Sequence, residues 1–213
     1  ESNIPDFRSA DGLYKQKYRY SPEQIVSHSF FMQHTEEFYD FYKNKMIFLD
    51  AKPNKAHLKL AEMEQAGKLS AIVTQNIDGL HQAAGSKNVF ELHGSVHRNY
   101  CQKCGKFFDV NYVVNAKGVP YCDECGGIIK PDVVLYEEGL DSQTINGAVR
   151  AISKADMLII GGTSLVVYPA AGMIDYFKGK YLAVLNRDAT SRDKQADLCI
   201  TDPIGEVLGR IRV

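Results

Sequence analysis

The stretch SAIVTQNIDGLH, residues 70–81, decides the fold class. It begins as a short apolar run and becomes polar at Gln75, which is typical of a buried strand that ends in a loop. Four similar runs follow: VFELHG (89–94), DMLIIGG (156–162), YLAVLN (181–186) and ADLCIT (196–201). Helical patterns lie around them, as in NKAHLKLAEMEQAG (54–67) and DSQTINGAVRAISKA (141–155). Strands alternating with helices predict an α/β fold with a Rossmann-like, doubly wound parallel sheet.

Two parts of the chain interrupt this alternation. Residues 13–50 show helical patterns without strands, and we predict a helical insertion module there. Residues 98–130 carry four of the five cysteines, and we predict a small zinc-binding module of the zinc-ribbon kind. The Rossmann-like domain then consists of residues 1–12, 51–97 and 131–213.

The zinc module is predicted from two C-x2-C pairs, which residues 105–121 separate. The cysteines are Cys101, Cys104, Cys122 and Cys125. This spacing matches a zinc ribbon, and four thiolates complete a tetrahedron around a structural Zn²⁺. The neighbouring His93 and His97 are therefore not needed as ligands. The remaining cysteine, Cys199, is predicted to be a small buried strand residue.

Composition limits the partners. The formal net charge is −1, and the chain has no run of five like charges, which argues against a nucleic-acid or anionic-membrane partner. The apolar runs fall short of the roughly 18–20 residues that span a bilayer. Cysteines paired for metal, rather than for disulfides, favour a reducing compartment, and we expect a cytoplasmic protein.

Polar residues collect where the predicted strands end. TQNIDGLH follows the first strand, HGS the second, GGTS the third and NRD the fourth. Taken singly, each has an ordinary explanation: Gln75 and Asn76 could satisfy loop amides, Asp78-Gly79 is a common turn, and GGTS lacks the full G-x-G-x-x-G pattern. Ligands of such sheets bind at the carboxyl ends of the strands, so the recurrence predicts a polar ligand of nucleotide size.

With these motifs in view, the chain resembles the sirtuin family of NAD-dependent protein-lysine deacylases, in its bacterial, firmicute-like branch. The matching stretches are IPDFRS (4–9), GLY (12–14), TQNIDGLH (74–81), AG (84–85), ELHGS (91–95), both C-x2-C pairs, KPDVVLYEE (130–138), GGTSLVVYPAA (161–171) and LN (185–186). They run in family order. Asn3 stands where the family usually has glycine, and the family's preceding strand and G-A-G-x-S loop are not in the sequence.

The resemblance implies removal of acetyl or other uncharged acyl groups from protein lysines, with NAD as co-substrate and nicotinamide, O-acetyl-ADP-ribose and free lysine as products. It implies that Asn76 and Asp78 hold and polarise the nicotinamide, and that His93 is the general base for a ribose hydroxyl. The other implied cofactor contacts are Phe7, Arg8, Gln75, Ile77, Gly162, Thr163, Ser164, Asn186 and Pro203.

The resemblance also implies how the substrate binds. Val133, Val134, Leu135 and Tyr136 are expected to form an extended edge that pairs with the backbone of an acetylated protein substrate. Family members that prefer succinyl-lysine carry a Tyr-x-x-Arg pair, whereas this chain has Tyr39 and Tyr42 at those positions. Without that arginine a buried acyl carboxylate is unpaired and costly, so an uncharged acyl group is expected.

Two other functions stay open from the sequence. A protein ADP-ribosyltransferase of the same fold would share nicotinamide release but leave ADP-ribose on a protein side chain. A non-catalytic, zinc-bearing NAD-binding module would keep the cysteines but could dispense with His93. The nearby His97 begins the exit to the zinc module and is expected to have no chemical role.

Overall fold

The structure, a computed structural model, describes residues 1–5 and 19–213. The helices in this part of the chain are α1 (Pro22–Ile25), α2 (His28–Gln33), α3 (Thr35–Lys45), α4 (Lys55–Gln65), α5 (Leu80–Ala83), α6 (Val110–Asn115), α7 (Ser142–Lys154) and α8 (Ile204–Gly209), with 3₁₀ helices at Ala170–Tyr176 and Asp193–Gln195. The strands are β1 (Ile72–Thr74), β2 (Val89–Glu91), β3 (Gly94–Cys101), β4 (Phe107–Phe108), β5 (Ile129–Val133), β6 (Met157–Gly161), β7 (Tyr181–Leu185) and β8 (Leu198–Ile200).

The five predicted strands are all present as β1, β2, β6, β7 and β8. They pair in parallel, as predicted, but in two pieces. Strands β1 and β2 form one ladder, and β6, β7 and β8 form another in that order. Among the described residues no strand ladder joins the two pieces.

Helices cover both faces of the larger piece. On β6, Leu158 packs in a cluster with Ala148 and Ile152 of α7, whereas the next residue, Ile159, packs in a cluster with Ala56 of α4 and Leu208 of α8. Successive side chains of a strand point to opposite faces, so α7 and the α4–α8 pair lie on opposite sides. The prediction of a doubly wound α/β fold is confirmed.

The helix starts follow from local capping. Asn54 precedes α4, and its Oδ1 accepts hydrogen bonds from the amides of Ala56 and His57; Asp141 caps α7 in the same way. Ser21 caps α1 and Pro22 is its first residue, with a capping box between Ser21 and Gln24. Helix α1 then ends early, and Ser27 caps a new helix, α2.

The helical and zinc segments pack into one hydrophobic core. Buried aromatic side chains of α2 and α3 cluster with residues of the antiparallel sheet β4–β3–β5 and with two of the cysteines: Phe31, Phe38, Tyr39, Phe41, Tyr42, Phe108, Ile129, Cys101 and Cys122. Lys43 ties the two segments together, because its Nζ donates to the carbonyls of Ala116 at 2.7 Å and Gly118 at 2.6 Å. The predicted boundaries between the modules stay a prediction.

Cys199 differs from its prediction. It lies in β8, as expected, but its side chain is exposed rather than buried. Strand β8 pairs only with β7 among the described strands, so it is an edge of its sheet and leaves residues uncovered. No helix of the described residues is long and apolar enough to cross a bilayer.

Candidate functional site

A groove of about 1740 Å³ runs past the carboxyl ends of β1, β2, β6 and β7. Every predicted cofactor or substrate residue that the structure describes lines it: Gln75, Asn76, Ile77, Asp78, His93, Val133, Val134, Leu135, Tyr136, Gly162, Thr163, Ser164, Asn186 and Pro203. Phe7 and Arg8, which were also predicted, lie outside the described residues. The ends of distant strands thus converge on one site, as expected for an α/β sheet.

His93 lies just beyond β2 and is half-buried at this groove. Its Nδ1 is 3.2 Å from the carbonyl oxygen of Gln75. A carbonyl only accepts, so Nδ1 carries the proton and Nε2 is left as the acceptor of a neutral ring. Burial lowers the pKa of His93, and the hydrogen bond to Gln75 opposes that shift. The geometry therefore gives an imidazole that is neutral at pH 7 and able to take up a proton at Nε2.

Gln75 links this base to the other half of the groove. Its side-chain Nε2 lies 3.4 Å from Oγ1 of Thr163, in the loop after β6. The amide of Thr163 donates in turn to Oδ1 of Asn186, after β7, at 3.0 Å. A chain of hydrogen bonds therefore runs from His93 to Asn186 and fixes the ends of four strands, β2, β1, β6 and β7, relative to one another.

The loop after β1 is held by short-range bonds. Asn76 donates its amide to Oγ1 of Thr74 at 3.0 Å, and Oδ1 of Asp78 accepts from the amide of Leu80 at 2.9 Å. The amide of Asn76 is thus engaged, whereas its exposed side chain faces the groove lining. These contacts hold the backbone of Asn76 and the carboxylate of Asp78, the two residues predicted to contact nicotinamide.

Strand β3 holds the same loop through two further contacts. The Nε2 of His97 lies 3.0 Å from the carbonyl of Asp78, and the amide of Val96 donates to the carbonyl of Ile77 at 3.0 Å. Gly79 has φ 71°, and a Cβ there would lie 2.8 Å from Cδ2 of His97. His97 therefore positions the loop, a role that sequence reasoning missed because its partner is a backbone carbonyl.

Gly94 brings the base next to the substrate edge. It has φ 72°, and a Cβ there would lie 1.7 Å from the carbonyl oxygen of Asp132 on β5. Only glycine permits this approach. As a result, the amide of Val134 donates to the carbonyl of His93 at 3.0 Å, and the predicted peptide edge starts beside the base.

The predicted substrate edge is an extended segment whose backbone is held by hydrogen bonds to neighbouring parts of the protein. The amide of Tyr136 donates to the carbonyl of Val26 at 2.9 Å, and the carbonyl of Tyr136 accepts from the amide of His28 at 2.9 Å. The amide of Leu135 donates to Oε2 of Glu138 at 2.9 Å. No described residue donates to the carbonyl of Val134, which lines the groove. With respect to residues 1–5 and 19–213, that acceptor is free to bond to an incoming chain.

The two tyrosines of α3 are fully buried. Tyr39 donates its hydroxyl to the carbonyl of Ile129. Burial raises the pKa of Tyr39, and burial, followed by the charges of Tyr39 and Asp132, raises the pKa of Tyr42. Both phenols therefore stay neutral, and neither supplies the positive charge that an acyl carboxylate needs.

The four predicted metal ligands come together in the zinc segment. The Sγ atoms of Cys101, Cys104, Cys122 and Cys125 all lie within 4.8 Å of one another. Gly105 and Gly126, which follow the second cysteine of each pair, have φ 73° and 67°, so the backbone turns after each pair. A Cβ on Gly127 would lie 2.8 Å from Sγ of Cys101. Four sulfur donors at this spacing suit tetrahedral Zn²⁺.

Sequence reasoning also missed Glu137, which follows the predicted peptide edge and lines the groove. It has φ 76°, an uncommon conformation for a residue other than glycine. Its position after VVLY was visible in the sequence, but its backbone conformation was not.

The chain is similar in sequence to a protein-family model and to several known proteins. The Sir2 family model matches residues 1–169. An NAD-dependent protein deacetylase of Clostridium acetobutylicum is 65% identical over 211 residues, covering 98% of this chain and 86% of that protein. Its counterpart from Clostridium perfringens is 63% identical over 214 residues, covering 99% and 88%.

Solved structures agree. A Sir2 complex with p53 peptide and NAD⁺ has a TM-score of 0.86 and 40% identity, covering 98% of this chain and 85% of that one. A Sir2 variant with deacetylated p53 peptide and 3'-O-acetyl ADP ribose has a TM-score of 0.89 and 40% identity, covering 97% and 85%.

Proposed function

The chain belongs to the Sir2 family, and from this membership we propose that it is an NAD-dependent protein deacetylase. It removes acetyl or other uncharged acyl groups from protein lysines and releases nicotinamide, O-acetyl-ADP-ribose and free lysine. The observation that carries this proposal is the position of His93, neutral and hydrogen-bonded to Gln75, in the groove that also holds the Asn76–Asp78 loop and the Gly162–Ser164 loop.

The groove suits NAD in its donor set. Thr163, Ser164 and Asn186 offer hydroxyl, amide and backbone groups for the phosphates and the adenine-side ribose, and Pro203 lies at the adenine end. NAD supplies a ribose carbon that becomes electrophilic as nicotinamide leaves. Asn76 and Asp78 hold the carboxamide, and Ile77 keeps water out.

His93 moves the proton. Its Nε2 takes a proton from a ribose hydroxyl, and Nδ1 remains bonded to the carbonyl of Gln75, which stabilises the charged ring that forms. This is general-base catalysis by a group whose pKa lies below its ordinary value. The ring is therefore in its basic form at neutral pH.

The substrate enters as an extended peptide along residues 133–136. The carbonyl of Val134, which no described residue engages, accepts a hydrogen bond from the substrate, and main-chain pairing positions the acyl-lysine beside His93. The neutral tyrosines of α3 support an uncharged acyl group. The net charge of −1 supports a protein partner rather than nucleic acid or an anionic membrane.

Zinc has a structural role in this proposal. The four cysteine sulfurs would fill all four positions of a tetrahedral zinc site and leave none for substrate. The cluster lies in the zinc segment, outside the lining of the groove. Cysteines that bind metal rather than form disulfides suit a reducing compartment, and we propose that the protein is cytoplasmic.

The test is to incubate the purified full-length protein with an acetyl-lysine peptide, with and without NAD, and to follow all products by mass spectrometry. We expect NAD-dependent loss of acetyl together with O-acetyl-ADP-ribose. His93→Ala abolishes this. His97→Ala is the matched control from the same motif, and it retains deacetylation at a reduced rate, because it loosens only the loop carbonyl of Asp78.

Other outcomes would contradict the proposal. An unchanged peptide together with ADP-ribose on a protein would indicate a transferase. No turnover with acetyl, propionyl or butyryl peptides would indicate a binding module. Full activity in His93→Ala would contradict the role of His93 as the general base.

A further inference from the structure

A second hollow, of about 530 Å³, opens next to the proposed peptide edge. Aromatic side chains of Tyr20, Phe30 and Tyr136 and the carboxylates of Glu23 and Glu137 form part of its lining. Tyr136 and Glu137 line both this hollow and the main groove. A chain that lies along the edge at Tyr136 therefore has side-chain access to the second hollow. We call it the acidic hollow.

Glu137 is held in place at the rim. Its Oε2 accepts from the amide of Ser29 at 2.8 Å and from the hydroxyl of Ser29 at 2.5 Å. The other carboxylate oxygen, Oε1, has no hydrogen bond from a described residue. The hydroxyl and then the amide of Ser29 lower the pKa of Glu137, and the charge of His28 adds to this. The carboxylate is therefore ionised and oriented before any ligand arrives.

Among the described residues, nearby cations leave much of this negative charge uncompensated. No lysine or arginine belongs to the described lining of the acidic hollow. Its histidine, His34, lies 3.3 Å from Glu37. Arg19 lies outside the lining, with its guanidinium 5.4 Å from the centre of the Tyr20 ring. Lys130 is paired with Glu138 at 3.0 Å.

We propose that the acidic hollow is a specificity subsite for a lysine or arginine side chain of the substrate peptide, close in sequence to the acyl-lysine, and that Glu137 is its specificity-determining residue. This inference rests on the proposed function. Aromatic faces and a carboxylate are the groups that attract a cation with an apolar stem. The acylated lysine itself is neutral, so the side chain that binds in the subsite belongs to a different residue of the substrate.

The position of Glu137 explains why main-chain pairing alone does not settle substrate choice. Main-chain pairing along residues 133–136 does not depend on the side chains of the substrate. A negative charge at the end of that edge, in contrast, favours substrates with a cationic side chain over those with a neutral one. Glu137 is exposed, so an ion pair there is screened by solvent and we expect a preference of only about threefold to fivefold. We expect the preference to weaken as salt rises.

The test uses acetyl-lysine peptides that carry a single lysine at one of the two positions before or after the acetyl-lysine, and glutamine at the other three. We measure kcat/KM at low and high salt, and peptide binding by fluorescence anisotropy. We expect one position to favour lysine over glutamine by about threefold to fivefold at low salt. Glu137→Gln, which can still accept from Ser29, removes that preference. Glu137→Lys reverses it in favour of a glutamate peptide.

The matched control is Glu62→Gln, the same charge change on an exposed face of α4, outside both cavities. It keeps the preference. The inference is overturned if lysine and glutamine peptides perform equally at all four positions, or if the preference survives Glu137→Gln. Turnover of the all-glutamine peptide by the unmodified protein tests the proposed function separately. If no peptide is turned over, the ratio of the affinities for the lysine and glutamine peptides still shows whether the subsite binds a cationic side chain.

Discussion

Gln75 contacts both halves of the groove at once: its carbonyl oxygen lies 3.2 Å from Nδ1 of His93, and its side-chain Nε2 lies 3.4 Å from Oγ1 of Thr163. One residue thereby connects the orientation of the proposed base with the loop proposed to hold the cofactor phosphates. The positioning of the base and the binding of the cofactor are therefore coupled through these two contacts of Gln75.

Thr163→Val tests this coupling. It removes the hydroxyl that lies by Gln75 and that also accepts from the amide of Leu165 at 3.2 Å. Together the loss of these two long hydrogen bonds costs on the order of 1 kcal/mol, so we expect KM for NAD to rise roughly fivefold. Steady-state kinetics with varied NAD measure this. Thr163→Ser, which keeps a hydroxyl, should stay near the parent value, and equal kinetics in all three proteins would contradict the coupling.

The pH dependence follows from His93. Burial lowers its pKa below 6.5, so the basic form predominates at neutral pH. We expect kcat/KM to be flat between about pH 7 and 8 and to fall on the acid side of a midpoint below 6.5. A pH profile with a saturating peptide and varied NAD checks it. A midpoint above pH 7 would contradict the neutral-base assignment.

Cys104→Ser tests the metal site against a control within the same chain. We expect loss of bound zinc and, for about 3 kcal/mol of lost stability, a Tm lower by roughly 10 °C. Cys199→Ser, at an exposed strand edge far from the cluster in sequence, should keep both zinc and Tm. Elemental analysis and thermal unfolding give the two values. Full zinc occupancy in Cys104→Ser would refute its role as a ligand.

His81 should make stability depend on pH. Burial, and then the nearby His57, whose ring centre lies 4.7 Å away, lower the pKa of His81 to about 4, against an opposing effect of Asp78. The unfolded chain binds a proton near pH 6.5, so between pH 6.5 and 4 it holds more protons than the folded one. Stability is then complete above pH 6.5 and falls as the pH drops towards 4.

The variant His81→Phe removes this contribution. We expect the loss of unfolding free energy between pH 6.5 and 4.5 to shrink by on the order of 2 kcal/mol. Urea unfolding at the two pH values measures it. An unchanged pH dependence would show that His81 is already charged in the folded protein.

The strands and the metal ligands were predictable because their signals are local. An apolar run that ends in polar residues marked each of the five parallel strands, and cysteine spacing alone marked the cluster. Gly147 shows where local signals mislead. It weakens the helical pattern of α7, yet the helix continues through it. Glycine is needed at this position because a Cβ there would lie 2.3 Å from Cε1 of Phe90. Tertiary packing requires glycine where propensity disfavours it.

The parts of the site that escaped prediction depend on backbone partners and on distant contacts. The resemblance pointed to His93, but nothing in the sequence names the carbonyl of Gln75 as its partner. Helix α1 ends early because a bridge forms between Ser27 and Tyr136, more than a hundred residues apart. The carboxylate of Glu137 likewise bonds to Ser29, which lies more than a hundred residues earlier in the chain. Such contacts form only when the chain has folded.

The core shared by the cysteines and the aromatic helices makes the folding of α2 and α3 a function of free zinc. Cys101 and Cys122 pack in the same cluster as Phe31, Tyr39 and Tyr42. A ligand that binds only the folded state stabilises it by about 1.4 kcal/mol for each tenfold rise in its free concentration above Kd. Zinc starvation would therefore loosen the aromatic helices that support residues 133–136, and the substrate edge would respond to the metal supply of the cell.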